Sequence, residues 1–267
     1  MTNEDETEIA KLFAARFIER RDVCAIQSPR SGAYAPYRIG FQTKYEDRPL
    51  MQFNLERLRE HVRGDKTFGH YLLKPETSTC RMFCFDIDFN EKSSYYPNGP
   101  EHPVEIINPR EIWSGPTTLA KRDLALQLFA MARGLAVRTW KTCGIQVIVS
   151  YSGNKGAHVI GCLEAGTPAK EARELAQTVL DSCGVFEPLK GHHFWKHSIG
   201  YPSLEIEVFP KQDEVSADGF GNLLRLPLGI NRKSGKPGFF VRMDTELGDF
   251  KIDDPLTVLT KGSIRDR

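Results

Sequence analysis

The sequence predicts an α+β fold in which helices are interleaved with β-hairpins. Helical apolar periods recur near residues 8–20, 54–62, 117–135 and 168–183. Short runs of β-branched and aromatic residues, at 23–27, 68–73, 145–149, 159–163 and 204–209, are bounded by Gly, Pro, Asn and Ser. The two kinds of segment do not make a regular βαβ repeat, and there is no GxGxxG loop.

In chain order, residues 1–8 are acidic and polar and are expected to fray. The first helix sets Ile9, Leu12, Phe13, Phe17 and Ile18 on one face, and Arg20-Arg21-Asp22 ends it. A strand at 23–27, a Gly/Ser/Pro/Tyr loop at 28–37 and a second strand at 37–41 follow. Asn54 is placed to cap a helix that Gly64 ends. Residues 90–116 form a long polar loop. Thr117 or Thr118 caps the next helix, and Pro168 opens a further one that Gly184 closes. Residues 191–201 are irregular, 221–229 are a strand and turn, and 239–243 are a closing strand. The body is expected to end near residue 246, with 247–267 a tail or linker.

Composition narrows the class. The 267 residues are 40% hydrophobic and 27% charged, enough for a sizeable core. A net charge of +1 gives no global basic field, so any polyanion site is a local patch. The six cysteines show no CxxC and there is no secretory signal, so free thiols in a reducing cytoplasm are expected. No apolar run approaches the ~20 residues of a membrane helix. The histidines between 183 and 197 do not have zinc-finger spacing.

The chain is organised around Arg81-Met82-Phe83-Cys84-Phe85-Asp86-Ile87-Asp88-Phe89-Asn90. On a strand, residues two apart share a face. Asp86 and Asp88 therefore project together, and Phe85, Ile87 and Phe89 point the other way into a core. Two adjacent carboxylates repel, and a divalent cation relieves that repulsion; Mg²⁺ or Mn²⁺ suits an all-oxygen site. A solvated strand end is the alternative. Glu207, or Glu205 two residues earlier, supplies a third acid on another strand. Three carboxylates on rigid strands can hold two divalent cations, the arrangement used for displacement at phosphorus.

Two further features point to phosphate. The hairpin tip Ser152-Gly153-Asn154-Lys155-Gly156-Ala157-His158 combines glycines, which free backbone N–H groups, with the donors Ser152, Lys155 and His158. It is also compatible with an ordinary turn. Lys211, Arg225, Arg232, Lys233 and Lys236 form a basic cluster after the third acid, suited to triphosphate or nucleic-acid phosphates, or to a solvated loop.

In this order the motifs resemble the archaeo-eukaryotic primase superfamily: Asp86-Ile87-Asp88, then Gly156-Ala157-His158, then Glu207-Val208-Phe209-Pro210-Lys211-Gln212. The hairpin, the Glu207 motif and Gly221-Asn222-Leu223-Leu224-Arg225-Leu226-Pro227-Leu228-Gly229 are similar to the primase-polymerase modules of TOTE conflict systems and of CRISPR-associated primase-polymerases. The resemblance covers about residues 9–243. It implies a two-lobed core, an N-terminal α/β lobe over about 9–80 and a catalytic RRM-like part over about 81–246. It implies that Asp86, Asp88 and Glu207 bind two divalent cations, Mg²⁺ or Mn²⁺. Ser152, Lys155, His158, Lys211 and Arg225 would bind the nucleotide, and Arg232 and Lys233 the template or phosphates. The middle motif departs from the family's Ser-x-His pattern, since Gly156 stands where serine would.

The activity so implied is template-dependent primer synthesis and extension on single-stranded DNA from NTPs or dNTPs, with pyrophosphate release. Partners would be the template, a primer, the nucleotides and, by family analogy, a helicase, nuclease or CRISPR factor in a larger chain. Three carboxylates also suit a metal-dependent nuclease, and an RRM-like sheet suits a non-catalytic single-strand-binding module.

Overall fold

The structure, a computed structural model, describes residues 1–41, 43–89, 118–190, 193–198, 203–244 and 250–265. The polar loop expected at 90–116 lies outside the described residues.

Helix α1 (Asn3–Arg16) begins earlier than its acidic start suggests, because Thr2 and Asp5 form a reciprocal capping box. Strands β1 (Ala25–Gln27) and β2 (Tyr34–Pro36) form a hairpin, so the second strand precedes the 37–41 segment expected to hold it. Helix α2 (Leu55–Arg63) runs from its Asn54 cap to Gly64, which takes φ +82°. Strands β3 (Phe68–Tyr71) and β4 (Thr79–Phe89) follow. Helix α3 (Leu119–Cys143), capped by Thr118, continues well past residue 135 to Gly144.

Next come β5 (Val147–Tyr151), β6 (Gly156–Pro168), α4 (Ala169–Cys183), β7 (Phe186–Lys190), β8 (Phe194–His197) and β9 (Leu204–Phe209). Pro168 takes the N-cap of α4 rather than its first turn. The segment expected to be irregular thus contains a strand, β8, held between β7 and β9. The chain closes with β10 (Leu223–Arg225), β11 (Phe239–Asp244), β12 (Phe250–Ile252), α5 (Pro255–Lys261) and β13 (Ile264–Arg265). Residues 250–265 are therefore not a linker. β12 and β13 pair with β11, and Val258 and Leu259 of α5 are fully buried.

Two sheets result. The smaller has the order β10-β3-β1-β2, so a strand from residues 223–225 completes the sheet of the N-terminal lobe. The larger has the order β12-β11-β5-β6-β4-β9-β8-β7, antiparallel throughout, with β13 added parallel to β11. Within it, β4-α3-β5-β6-α4-β9 with the order β5-β6-β4-β9 is the split βαβ arrangement of RRM-like domains. The expected α+β fold with an RRM-like sheet and an N-terminal lobe is what the chain adopts.

Strand alternation divides the large sheet cleanly. Phe83, Phe85, Ile87 and Phe89 of β4 join Val149, Val159, Ile206 and Val208 under α3 and α4. Met82 and Cys84 face the other way, with Ile148, Ile160, Phe209 and Phe240, against α1 and the small sheet. All six cysteines are free thiols. Among the described residues no helix is long and apolar enough to cross a membrane.

Candidate active site

The face of β4 that begins with Met82 and Cys84 continues, in the same alternation, with Asp86 and Asp88. On the β9 side, Glu207 stands directly opposite Asp86 and Glu205 opposite Asp88. On the β6 side, His158 stands opposite Asp86 and Gly156 opposite Asp88. Directly opposite residues of an antiparallel pair share a face. One row across the sheet therefore reads Phe194, Glu207, Asp86, His158, Ser150 and Phe240, from β8 through β11. Where this row leaves the cover of the small lobe, a cavity of about 270 Å³ opens, lined by the four acids with Phe89, Lys155 and Phe194.

Electrostatics follow from this crowding. The Asp86 carboxyl is pushed well above the usual carboxylate range, first by burial and then by the neighbouring Asp88 and Glu207 charges. Lys155 and Lys211 oppose that rise. The Lys155 ammonium lies 3.1 Å from Asp88 Oδ2 and donates to the Phe89 carbonyl at 2.9 Å. The Lys211 ammonium pairs with the Glu207 carboxylate and sits over the Phe209 and Phe194 rings, 4.8 and 5.4 Å from their centroids. His158 Nε2 is 3.5 Å from Asp86 Oδ1. Burial lowers the His158 pKa to about 3, with Arg225 and His70 adding to the fall, so the ring is neutral near pH 7.

Among the described residues no three His, Cys, Asp or Glu side chains converge tightly enough to hold an ion as they stand. The two lysines take up Asp88 and Glu207 instead. The donor set nevertheless fits hard divalent cations: it is all carboxylate oxygen, and Asp86 is disfavoured as an anion without a cation beside it. Glu205 and Glu207 both line the cavity.

The hairpin tip is held rigid from both sides. The Ser152 hydroxyl accepts from the Asn154 and Gly156 amides at 3.4 and 3.3 Å, closing the turn internally. The Ser234 hydroxyl donates to the Gly153 carbonyl, and Asn231 Nδ2 donates to the Ser152 carbonyl at 3.2 Å. Gly153 takes φ +75°. Gly156 is needed for a different reason: a Cβ there would overlap Asp88 Oδ1 and the Ile87 carbonyl.

The basic cluster is not a single free patch. Arg225 is buried, and its guanidinium donates to the carbonyls of Leu226, Leu228 and Gly229 at 3.1, 2.5 and 3.2 Å. Arg232 donates to Gly64 O at 2.6 Å and to Thr67 Oγ1 at 3.1 Å, tying its loop to the small lobe. Lys233 is exposed. Sequence reasoning passed over Phe194, whose ring shares the acidic row. The Phe-Trp-Lys-His alternation of 194–197 was the available signal.

Fold and cleft together define an RRM-like domain with clustered carboxylates and flanking lysines on one face of its sheet. Residues 8–261 match the family described as the Archaeo-Eukaryotic Primase domain of the TOTE conflict system, and the chain belongs to that family. Membership supports a nucleotidyltransferase class, and polymerase-like domains of this kind generally use divalent metals. None of the curated proteins matches the chain. Among solved structures, the polymerase domain from Mycobacterium tuberculosis Ligase D in complex with DNA aligns at 10% identity and TM-score 0.46, covering 96% of this chain and 85% of that one.

Proposed function

We propose that the protein is a template-dependent DNA primase-polymerase, which joins NTPs or dNTPs to a 3′-hydroxyl on single-stranded DNA and releases pyrophosphate. The observation that carries this reading is the placement of Asp86 opposite Glu207, with Asp88 on the same face, in a cleft flanked by two lysines. Asp86, Asp88 and Glu207 would hold two divalent cations, Mg²⁺ or Mn²⁺, with Glu205 within the same cavity. Bound there, such ions supply a lowered hydroxyl pKa for attack and charge stabilisation on the leaving group.

The chain's own residues do the rest. Lys155 lies at the tip of the clamped hairpin, within reach of Asp88, where its ammonium can transfer from carboxylate to phosphate oxygen. Neutral His158 can donate one hydrogen bond to a phosphate without bringing a full charge beside Asp86. Lys211 balances Glu207 until a second anion arrives. Arg225 and Arg232 support the site by holding the loop at 226–232, and Ser152 by closing the hairpin. Lys233 remains available to template phosphates.

The test is primer synthesis on single-stranded DNA with labelled nucleotides and Mg²⁺ or Mn²⁺, with Asp86→Ala alongside. Short products that disappear in the variant are expected. A pre-annealed primer separates an enzyme that cannot initiate from an inactive one. Cleavage of the template without incorporation would favour the nuclease reading, and cation-independent binding without turnover would favour the binding module.

A further inference from the structure

Among the described residues, three aromatic side chains near the cleft are buried: Phe89 is 0% exposed, and Phe209 and Trp195 are 5% exposed. Phe194 differs. It is 36% exposed, lies on the acidic face and forms part of the cavity wall. Its place in the row is specific. Phe194 stands opposite Glu207 on β8, one strand spacing of about 4.8 Å beyond it, and on the far side of Asp86 from His158.

We propose that Phe194 is the surface against which the nucleoside that supplies the attacking hydroxyl packs, forming a subsite for the initiating nucleotide or primer terminus. This rests on the primase-polymerase reading. In nucleotidyl transfer the O3′–Pα bond forms as the bond from Pα to the bridging oxygen breaks. The hydroxyl's proton passes to solvent water, and pyrophosphate departs with the electron pair of the broken bond, opposite the attacking oxygen. Lys155 and His158 put the phosphate-binding end of the row at β6. The departing pyrophosphate therefore lies toward β6, and the hydroxyl arrives from the opposite side, over Glu207 and Phe194. A flat apolar ring with a lysine ammonium 5.4 Å from its centroid offers a stacking face and a partner for that nucleotide's phosphate.

A long annealed primer is held by its duplex, whereas a single nucleotide depends on local contacts. Phe194→Ala should therefore lower initiation from a mononucleotide, or extension of a trinucleotide, about tenfold, with a raised KM for that reactant. Extension of a long primer should change by less than about twofold on the same stacking argument. Phe194→Tyr should restore initiation. Independently of turnover, wild type should quench a 2-aminopurine nucleoside monophosphate and Phe194→Ala should not. Equal losses on short and long primers, no loss on either, or quenching that survives Phe194→Ala would each overturn the subsite. A wild type that quenches the probe but neither primes nor extends would sink the polymerase reading and leave the ring as a nucleoside contact.

Discussion

Gly156 lies against the Asp88 carboxylate so closely that no side chain can be added between them. A Cβ at Gly156 would overlap both Asp88 Oδ1 and the Ile87 carbonyl. The carboxylate could rotate away, but the carbonyl belongs to the β4–β6 ladder, where Gly156 pairs with Asp88. Gly156→Ala should therefore pry the two strands apart at the end that carries Asp86 and Asp88. A stability loss of roughly 1–3 kcal/mol is expected from such overpacking. Transfer activity should fall further than stability does, because Asp88 is displaced. Urea unfolding and primer extension, run on one preparation, check both parts.

Asp86 is a site where activity and stability oppose each other. Its folded-state pKa is raised, so its contribution to stability is fully present below the unfolded value of 3.8 and is lost as pH climbs through the folded value. Near neutral pH the carboxyl is a liability, because the unfolded chain ionises it more readily than the fold does, and a neutral isostere removes that cost. Asp86→Asn should stabilise the fold by on the order of 1 kcal/mol, roughly 2–4 °C in Tm for a chain of this size. It should also abolish nucleotidyl transfer. Calorimetry at pH 7 without divalent cations is the appropriate measurement, and a lower Tm for the variant would contradict the account.

The same argument predicts a response to cations. Mg²⁺ or Mn²⁺ that binds only the folded protein stabilises it by about 2.7 kcal/mol at a hundredfold excess over Kd, and Tm rises with it. Wild type should show the rise and lose it with EDTA, while Asp86→Asn should show little. Lys211→Met should bind Mn²⁺ more tightly than wild type when nucleotide is absent, because the ammonium paired with Glu207 is removed.

The half of the site that rests on strand periodicity was legible before folding. Asp86 with Asp88, and Glu205 with Glu207, follow from the two-residue repeat. Which acid faces which does not, because register across a sheet is a long-range property. The small sheet illustrates the point: its edge strand β10 comes from residues 223–225, about 150 positions after its partner β3. Arg225 was legible as a cation, but its guanidinium turns back onto the carbonyls of its own turn, an outcome that only the tertiary path of 226–229 decides. In the sequence Gly156 reads as a hairpin glycine that frees backbone N–H groups, and its constraint is close approach instead.

His61 sets a pH limit away from the acidic cleft. It is fully buried, Phe68 N–H donates to its Nδ1 at 2.9 Å, and its Nε2 lies 2.8 Å from the Pro227 carbonyl, which fixes the neutral tautomer with the proton on Nε2. Burial lowers its pKa from 6.5 to about 3, with nearby Arg225 reinforcing the fall. A depressed folded-state value means the unfolded chain takes up the proton first. Stability is then full above about 6.5 and is lost progressively down to about pH 3. His61 alone should cost roughly 2 kcal/mol between pH 7 and pH 5, and buried His70, also lowered to about 3, acts in the same direction. Urea midpoints at the two pH values, compared with His61→Gln, measure this; an unchanged slope in the variant would show that other groups dominate.

Arg225 separates a structural role from a nucleotide-binding one. Three carbonyls accept from its guanidinium, and the residue is 8% exposed. A lysine cannot reproduce a planar fork that reaches Leu226, Leu228 and Gly229 together. Arg225→Lys should leave carbonyls unpaired in a buried turn, at roughly 1–3 kcal/mol, even though the charge is kept. That turn carries Pro227, the partner of His61, and leads to Asn231, which holds the hairpin at Ser152. The expected phenotype is therefore a lower Tm, with kcat falling through a loosened hairpin. A residue that gripped the triphosphate would instead raise KM for the nucleotide at unchanged Tm. Measuring Tm beside nucleotide KM distinguishes the two outcomes directly.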